Sequence, residues 1–407
     1  MQSVSKVIKG RLCCGCGVCA GLAPEALEMI DVVAEGRRPR LRPEMSEDGV
    51  SEILLAVCPG LSLEHDYDPT QPGLIRELAP AWGPIFGVWE GYATNPEIRY
   101  AGSSGGATTA LAWYCIAKGG MHGVLHTAAR KDAPYLNETV FSRTREDLLA
   151  ATGSRYAPAS PCEGLQRITD APGPCVFIGK PCDVAAMQKA RKLRPDLDQN
   201  LGLTIAFFCA GTPSTQGTLD MLKRMGIDDP ATLVSLRYRG NGWPGRTTAV
   251  VRTDTGEETR QLTYEQAWGE VLSKYQQWRC KLCADHTGEF ADIAVGDPWY
   301  RTVQDDEPGQ SLILARSQRG HKIILAAADA GYLHIEAAEP RILPASQPNL
   351  LKTRGAVWGR LLACRMMGVP APQYIGIPLF RHWWRQLNWR EKSRSVTGAI
   401  RRALCQS

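Results

Sequence analysis

The chain has 407 residues, a net charge of +5, 44% hydrophobic residues and 22% charged residues. That length suggests two or three domains, and the composition excludes both an intrinsically disordered chain and a bundle of membrane helices. The N-terminal sequence MQSVSKVIKGRLCC lacks the apolar core of a secretory signal, and no apolar run reaches the ~18 residues of a membrane helix. We therefore expect a folded protein of the cytoplasm.

The first part of the chain predicts a small unit that ends near a cysteine. ALEMIDVVAEGRRPRLRP reads as two short strands around a glycine turn, and SEDGVSEILLAVCPG as a helix that leads into Cys58 and Pro59. We assign residues 1–65 to this unit. The Pro-rich segment that follows has no clear period and suits a linker over residues 66–85.

From about residue 86, short apolar strands alternate with helices. The segment TTAVVRTDTGEETRQL reads as a hairpin inserted in this succession. The pattern predicts an α/β domain with a mixed α+β sheet over residues 86–345. Strands are predicted for GVLHTAA, ETVFSR, PCVFIG, LTIAFFC, LVSLRYRG, SLILARS and YLHIEAA, and helices for ALAWYCIAKGG, TREDLLAATG with Thr144 as N-cap, DVAAMQKARKL, TQGTLDMLKRMG and KIILAAADAG.

Fourteen cysteines in a chain of this class indicate metal or redox chemistry rather than disulfides. Cys13, Cys16 and Cys19 have C-x2-C-x2-C spacing, and a distant Cys58 precedes proline, as in bacterial ferredoxins. This predicts a 4Fe-4S site in a ferredoxin-like N-terminal module. The alternatives are unliganded thiols and a zinc site, although zinc usually takes two C-x2-C pairs. Cys14 is interpreted as a bystander.

A second set of thiols follows predicted apolar strands or forms a C-x2-C pair. Since ligands gather at the carboxyl ends of strands in α/β sheets, these four thiols could converge on another cluster. Buried structural cysteines are the competing interpretation. The four are Cys182, Cys209, Cys280 and Cys283, and the cysteines assigned to packing or chance are Cys115, Cys162, Cys175, Cys364 and Cys405.

A glycine-rich loop, GSSGG at residues 102–106, comes directly before a predicted helix. Free amides and the helix dipole make such a start favourable for an anion, although a plain turn with a serine N-cap explains the pattern equally well. Similar loops are ATGSRYAP, IGKPCD and YRGNGWPG. Together at one sheet edge, they would suit a dinucleotide whose phosphates contact amides, Lys180 and Arg155.

Taken in order, AGSSGGATTAL, GSRYAP, GKPCD, FFC and CKLCADHTGEFADIAVGDPW resemble the coenzyme F420 hydrogenase/dehydrogenase beta-subunit family, which includes 7-hydroxymethyl chlorophyll a reductase and divinyl chlorophyllide reductase types. The resemblance runs from about Cys13 to about Glu339. It implies an iron-sulfur flavoprotein with FAD and one 4Fe-4S cluster in the central domain and, in longer members, an N-terminal cluster. It matches Cys182, Cys209, Cys280 and Cys283 to the ligands of the inner cluster. It matches a second set of residues to the segments around the flavin, namely Ser103, Ser104, Gly105, Gly106, Thr108, Ser154, Arg155, Tyr156, Gly179 and Lys180.

One flavin and two 4Fe-4S clusters predict an oxidoreductase that moves electrons between FAD and the clusters, because a flavin takes up two electrons and a cluster carries one. The donor would be a ferredoxin or a reduced deazaflavin, and the acceptor a small organic substrate or a partner subunit. The alternatives are an electron-transfer subunit without its own organic substrate and a zinc-stabilised binding module. Candidate proton donors are His126, His286 and Asp297, with a buried hydrogen-bonded role as the competing interpretation.

Residues 346–407 form a basic, aromatic tail that is predicted to be helical. From Arg354 to Ser407 there are ten Lys and Arg residues against one acid, Glu391. Such a helix suits an anionic membrane surface, which would place the protein at the inner face of the membrane, or an acidic partner. Packing on its own domain is an equal alternative. Nucleic acid is not expected as a partner, and a homo-oligomer is compatible with the sequence.

Overall fold

The computed structural model describes residues 3–46, 51–302 and 307–404. Its strands are β1 (Leu27–Val32), β2 (Gly36–Leu41), β3 (Ser62–Glu64), β4 (Gly87–Ala93), β5 (Val124–Ala129), β6 (Asn137–Ser142), β7 (Cys175–Gly179), β8 (Leu201–Phe207), β9 (Leu233–Arg237), β10 (Thr247–Thr253), β11 (Gly256–Leu262), β12 (Ile293–Gly296), β13 (Ser311–Ala315), β14 (Leu333–Ala337) and β15 (Gln373–Ile375). The predicted strands β5 to β11, β13 and β14 are confirmed, whereas β3, β4, β12 and β15 were not predicted from the sequence.

The helices surround these strands and include several short turns. They are α1 (Val4–Lys9), α2 (Val18–Leu22), α3 (Ser51–Ala56), α4 (Ala79–Trp82), α5 (Pro96–Ala101), α6 (Ala107–Ala117), α7 (Arg145–Ala150), α8 (Gln166–Thr169), α9 (Pro181–Arg191), α10 (Pro195–Asn200), α11 (Thr215–Arg224), α12 (Trp278–Lys281), α13 (Gln318–Asp329), α14 (Ile342–Ser346), α15 (Leu350–Met366), α16 (Leu379–Gln386) and α17 (Trp389–Leu404). Among the described residues, no helix is long and apolar enough to cross a membrane.

An eight-stranded mixed sheet forms the centre of the protein, as predicted. Its strand order is β14-β4-β13-β12-β8-β7-β5-β6. The four adjacent strands in the middle of that order are parallel to one another, namely β12, β8, β7 and β5. Strand β7 is buried along its whole length: Cys175 and Phe177 enter one hydrophobic core, while Val176 and Ile178 enter another. Both faces of the sheet are therefore covered, which is why β7 reads as a continuous apolar run.

Local signals place α7 as expected. Thr144 is its N-cap, and its hydroxyl accepts a hydrogen bond from the Asp147 amide at 3.1 Å, while the Asp147 carboxylate accepts one from the Thr144 amide at 3.2 Å. This reciprocal capping satisfies amides that have no partner inside the helix. The predicted helix start is confirmed.

The segment LVSLRYRG differs from its predicted place in the central sheet. It forms β9, which pairs with β10 of the predicted hairpin in a separate three-stranded sheet. Leu233 and Leu236 pack there with Val251 and with Met221 of α11. Burial against α11 therefore decides which sheet receives the strand, and a pattern of apolar residues does not specify that partner.

The N-terminal unit and the tail both pack against the central domain. Strands β1 and β2 form the predicted antiparallel hairpin, while β3 pairs in parallel with β15 of the tail. Residues 66–85, predicted as a linker, bring Leu78, Trp82 and Ile85 into the main hydrophobic core. The domain boundaries stay a prediction, but these contacts hold the parts of the chain together.

A buried ion cluster joins these three parts. Glu289 of the central domain accepts a hydrogen bond from His65 Nε2 at 2.7 Å and forms an ion pair with Arg354 of α15. Burial would raise the pKa of Glu289, but Arg354 and the hydrogen bond from His65 lower that pKa to about 2. The carboxylate therefore stays ionised, and its removal would leave the buried Arg354 without its counter-charge.

We expect Glu289→Gln to lower the free energy of unfolding by about 3–5 kcal/mol, because it leaves a buried guanidinium unpaired. Glu339→Gln is the matched control, since the Glu339–Arg341 pair is mostly exposed, with side-chain exposures of 64% and 81%. An exposed pair contributes no more than about 1 kcal/mol. Urea unfolding of both variants measures the difference, and equal small effects would contradict this account.

Candidate functional site

The inner thiols lie where the central sheet presents its strand ends. Cys182 is the second residue of α9, which follows β7 directly, and Cys209 follows the neighbouring parallel strand β8. Cys280 lies in α12, and Cys283 follows it. Cys182 and Cys280 are electrostatic neighbours of both Cys209 and Cys283. The structure thus brings together the four cysteines that the sequence scatters over about a hundred positions.

The N-terminal thiols also form one group. Cys19 has Cys13, Cys16 and Cys58 as electrostatic neighbours. The loop between them turns at Gly15 and Gly17, whose φ angles of 70° and 85° are left-handed. The Gly15 amide donates a hydrogen bond to Cys13 Sγ at 3.3 Å. The tight glycine-containing loop predicted from the spacing is present.

Two further cysteines lie beside the two groups: Cys14, which was interpreted as a bystander, and Cys162, which was assigned to packing or chance. The Cys14 thiol is a close neighbour of Cys182, and Cys16 is a close neighbour of the fully buried Cys162. Cys14 thus lies beside an inner thiol while the adjacent Cys13 belongs to the N-terminal group, and its interpretation as a bystander stays a prediction. The sequence carries no signal for this contact.

The described thiols are available to ligands. All the described cysteines are free, and within the described residues no three Cys, His, Asp or Glu side chains are placed to hold a single metal ion. A cubane takes four thiolates, one at each iron, so each group of four thiols has the number of ligands that a cubane requires. Burial raises the pKa of Cys58 to about 12, so ligand binding would have to release its proton.

A cleft of 310 Å³ opens beside the inner thiols, at the lower end of the usual range for ligand pockets. Cys209 is in its wall, together with every candidate proton donor and every candidate flavin residue except Gly105. The predicted residues in the wall are Ser103, Ser104, Gly106, Thr108, His126, Ser154, Arg155, Tyr156, Gly179, Lys180, His286 and Asp297.

The glycine-rich loop gives the cleft close access to the backbone. Gly106 precedes α6 with a φ of 72°, and the helix start has no side-chain cap. A Cβ on Gly102 would lie 2.5 Å from the Gly106 Cα, so a side chain cannot be added there without moving the loop. The first amides of α6 are therefore available to an anionic group.

Serine and arginine side chains hold the loops of the cleft together. Ser103 Oγ accepts a hydrogen bond from the Ser154 amide at 2.7 Å, and Ser104 Oγ donates one to a backbone carbonyl at 3.2 Å. The Arg155 guanidinium donates to Asn137 Oδ1 at 2.7 Å and to the carbonyl oxygens of residues 134, 136 and 236. Arg155 thus orders its loop, a role different from the predicted contact with phosphate.

Lys180 connects the cleft with the inner thiols. Its ammonium is paired with Asp183 at 2.6 Å and is buried, with 7% exposure. Cys182 and Cys209 are among its electrostatic neighbours. Although its burial would lower the pKa of Lys180, the anionic groups of Asp183 and Cys182 raise it, so the side chain stays charged.

An arginine that the sequence analysis did not single out holds Asp297. Arg239 donates two hydrogen bonds to its carboxylate, at 2.8 and 3.0 Å, and Trp243 Nε1 donates a third at 2.7 Å. Tyr264 and Trp299 lie beside the Arg239 guanidinium. The loop YRGNGWPG, which contains Arg239, was noted in the sequence. The pairing of Arg239 with Asp297, 58 positions away, was not predictable. With both oxygens occupied, Asp297 is better suited to positioning the loop than to donating a proton.

The two candidate histidines differ in their surroundings. His126 is hydrogen-bonded to Ser142 at 2.7 Å, and burial lowers the pKa of His126 to about 4. His286 Nδ1 lies 2.8 Å from the Cys209 carbonyl, which fixes the proton on Nδ1, and burial lowers the pKa of His286. Its Nε2 is buried without a hydrogen-bond partner among the described residues. His286 is in the wall of the cleft, but this nitrogen itself is shielded from solvent.

Family models match two consecutive parts of the chain. Residues 88–167 match the N-terminal part of the coenzyme F420 hydrogenase/dehydrogenase beta subunit, and residues 174–341 match its C-terminal part. Both parts lie in the central domain, and the N-terminal cysteines precede them. The matched ranges include the loops that line the cleft.

Relatives and a solved structure agree with these models. The beta subunit of F420-dependent formate dehydrogenase 1 from Methanococcus maripaludis is 24% identical over 61% of this chain, and the match spans 61% of that subunit. The beta subunit of coenzyme F420 hydrogenase from Methanosarcina barkeri is 24% identical over 57% of this chain and 75% of its own length.

The fold is similar to a chain in the structure of the F420-reducing [NiFe] hydrogenase complex from Methanosarcina barkeri. The TM-score is 0.54 at 21% identity, and the match covers 74% of this chain and 98% of that chain. The resemblance inferred from the ordered motifs is thereby confirmed. The chain belongs to the coenzyme F420 hydrogenase/dehydrogenase beta-subunit family.

Proposed function

We propose that this protein is an electron-transfer subunit of an oxidoreductase complex, with FAD in the cleft, one 4Fe-4S cluster on the inner thiols and a second on the N-terminal thiols. Relatives named as beta subunits of F420-dependent formate dehydrogenase and hydrogenase support a role beside partner subunits. A reduced deazaflavin or a reduced ferredoxin would be the electron donor, and a partner subunit would accept the electrons. This proposal takes up the alternative of a subunit without its own organic substrate.

One observation carries the proposal: the wall of the cleft and the inner thiol group share residues. Cys209, Lys180 and His286 line the cleft, while Cys209 also belongs to the inner group and Lys180 has two of its thiols as neighbours. A ligand in the cleft would thus lie directly beside a cluster on those thiols. Short separation is what electron transfer between two groups requires.

The residues of the cleft are compatible with a flavin dinucleotide. The amides at the start of α6 would contact a pyrophosphate, and the ordered loop at Ser154 would bound the ligand. His286 lies in the wall of the cleft beside Cys209 and would bound the ligand on the side of the inner thiols. When bound, FAD supplies exchange between two-electron and one-electron chemistry.

Some residues of the cleft position its loops, and others determine its charge. Arg239 and Trp243 hold Asp297, and Arg155 holds the loop of Ser154. Lys180, paired with Asp183, lies in the wall of the cleft and has Cys182 and Cys209 as electrostatic neighbours. Since His126 is neutral at neutral pH and already bonded to Ser142, it is not suited to donating a proton. The arrangement favours electron exchange over acid catalysis on an organic substrate.

The second function that we consider is reduction of an organic substrate by this chain alone. The aromatic side chains of Tyr264, Trp268 and Trp299 line part of the cleft and offer faces on which a planar ring could stack. A planar deazaflavin and a planar organic substrate would use the same faces. Substrate-dependent reoxidation of the reduced, isolated chain would distinguish this function from a pure relay.

For the tail, we propose contact with an anionic lipid surface. Phe380, Trp384 and Trp389 are 52%, 62% and 72% exposed. Lys392 Nζ lies 4.5 Å from the ring centroid of Trp384, and Arg390 lies over Trp389. Exposed indoles beside cations match the chemistry of a membrane interface. This contact would keep the protein peripheral to the membrane.

We expect anoxically purified protein to contain about eight irons and eight sulfides per chain, because each cubane holds four of each, together with one flavin. Iron, acid-labile sulfide and flavin analysis measure these contents, and visible absorption should bleach with dithionite. Material that contains zinc, and neither iron nor flavin, would rule out the proposed function.

Each thiol group should hold its own cluster. We expect Cys283→Ala to remove about four irons and leave the N-terminal cluster, and Cys19→Ala to do the reverse. Cys115→Ala is the control, since Cys115 is fully buried in an apolar core away from both groups. EPR spectra of the reduced variants identify which cluster remains. Full iron content in either ligand variant would contradict the assignment.

The double variant Trp384→Ala/Trp389→Ala should bind anionic vesicles at least ~10-fold more weakly, because the two aromatics that enter the lipid surface together contribute more than ~1.4 kcal/mol. The control is Tyr100→Ala, which removes an aromatic side chain that is 54% exposed on α5. Cosedimentation with phosphatidylglycerol-containing and pure phosphatidylcholine vesicles measures the binding. Equal binding of both variants, or none by the wild type, would favour docking to an acidic protein instead.

A further inference from the structure

Arg279 is a buried arginine between the two thiol groups. It lies in α12, directly before Cys280, and is 3% exposed. Its Nε donates to the Gly60 carbonyl at 3.1 Å and its Nη2 to the Pro59 carbonyl at 2.9 Å. These carbonyls follow Cys58, so one side of the guanidinium is fixed to the N-terminal group.

The other neighbours of this guanidinium include two inner thiols and one thiol of the N-terminal loop. Cys14, Cys182 and Cys283 are its electrostatic neighbours, together with the phenol of Tyr374. In the described part of the chain, no carboxylate lies within ion-pair distance of Arg279. Arg354 differs in this respect, because it is paired with Glu289.

A buried guanidinium without a counter-ion is costly, and buried charges in proteins are normally paired. Thiolates would supply the missing negative charge, and a cubane with four thiolate ligands is a net anion in either of its common oxidation states. Each added electron makes that anion more negative. A fixed cation nearby therefore favours the reduced form and raises the reduction potential.

We propose that Arg279 is a positioning residue that serves as a shared counter-charge of the two cluster sites and raises the reduction potentials of both clusters. This inference rests on the proposed function, because it requires clusters on both thiol groups. It assigns to one side chain an effect on two redox centres at once. The guanidinium remains charged and gains or loses no proton when an electron passes.

The test is the reduction potential of each cluster in Arg279→Gln, followed by EPR in an anoxic redox titration of the full chain. At a fixed potential, we expect the ratio of reduced to oxidised cluster to fall at least tenfold for both clusters. For a one-electron couple, this corresponds to a lowering of about 59 mV. The potential does not depend on how many molecules hold a cluster, so partly loaded protein still gives the answer.

Two further variants separate charge from structure. Arg279→Lys keeps the charge and should shift each ratio less than Arg279→Gln does. Arg360→Gln removes a nearby guanidinium that donates to the Lys281 carbonyl and has no thiol among its electrostatic neighbours. It should change neither ratio more than about threefold. A change confined to one cluster, or equal changes in Arg279→Gln and Arg360→Gln, would overturn the inference.

The two proposals fail in different ways. Wild-type protein without iron overturns the function and, with it, this inference, whereas two clusters with unchanged potentials overturn only the role of Arg279. If Arg279→Gln holds no cluster, the test uses wild-type protein labelled with ¹⁵N in its arginine guanidinium groups. Since Arg38 is an electrostatic neighbour of Cys13, the readout is the difference between wild type and Arg279→Lys. Pulsed EPR of both reduced clusters should show a ¹⁵N coupling in the wild type that Arg279→Lys removes, and identical couplings in the two proteins would overturn the inference.

Discussion

The structure depends on how closely the N-terminal cysteine loop packs against residues 160–165 of the central domain. A Cβ on Gly21 would lie 2.3 Å from the Cys162 carbonyl oxygen, and one on Gly17 would lie 2.9 Å from that of Ser160. Ser160 Oγ donates to the Gly15 carbonyl at 2.7 Å. Only glycines permit this approach. Without it, the two thiol groups would not lie side by side.

Elements with strong local signals were predictable from the sequence. The β1–β2 hairpin has a glycine turn, and α7 has a threonine cap followed by Asp147 three positions later. Strand β12 has only four residues and follows a loop rich in polar residues, so its pairing with β8 and β13 decides its structure. The partner of β9 was wrong for the same reason, since contacts distant in sequence outweigh local pattern.

In the candidate site, too, local features were predictable and contacts between distant positions were not. The spacing of the cysteines predicted the N-terminal thiol group, and the ends of predicted strands predicted Cys182 and Cys209 as ligands. Both signals lie within short stretches of chain. The pairing of Arg239 with Asp297 and the contact of Cys14 with Cys182 join distant positions, and no single stretch encodes them. Arg155 shows the converse: its loop was found, but its guanidinium is occupied by backbone carbonyls and Asn137.

The buried cations follow the same order as the proposed electron carriers. Lys180 lies between the cleft and the inner thiols, and Arg279 lies between the inner and N-terminal thiols. An electron that moves along this line adds negative charge to a desolvated region, where electrostatic interactions are strong. Lys180 is already neutralised by its pair with Asp183, whereas the guanidinium of Arg279 has no carboxylate partner among the described residues and would offset that cost. The junction at Arg279 therefore carries a net positive charge that the junction at Lys180 does not.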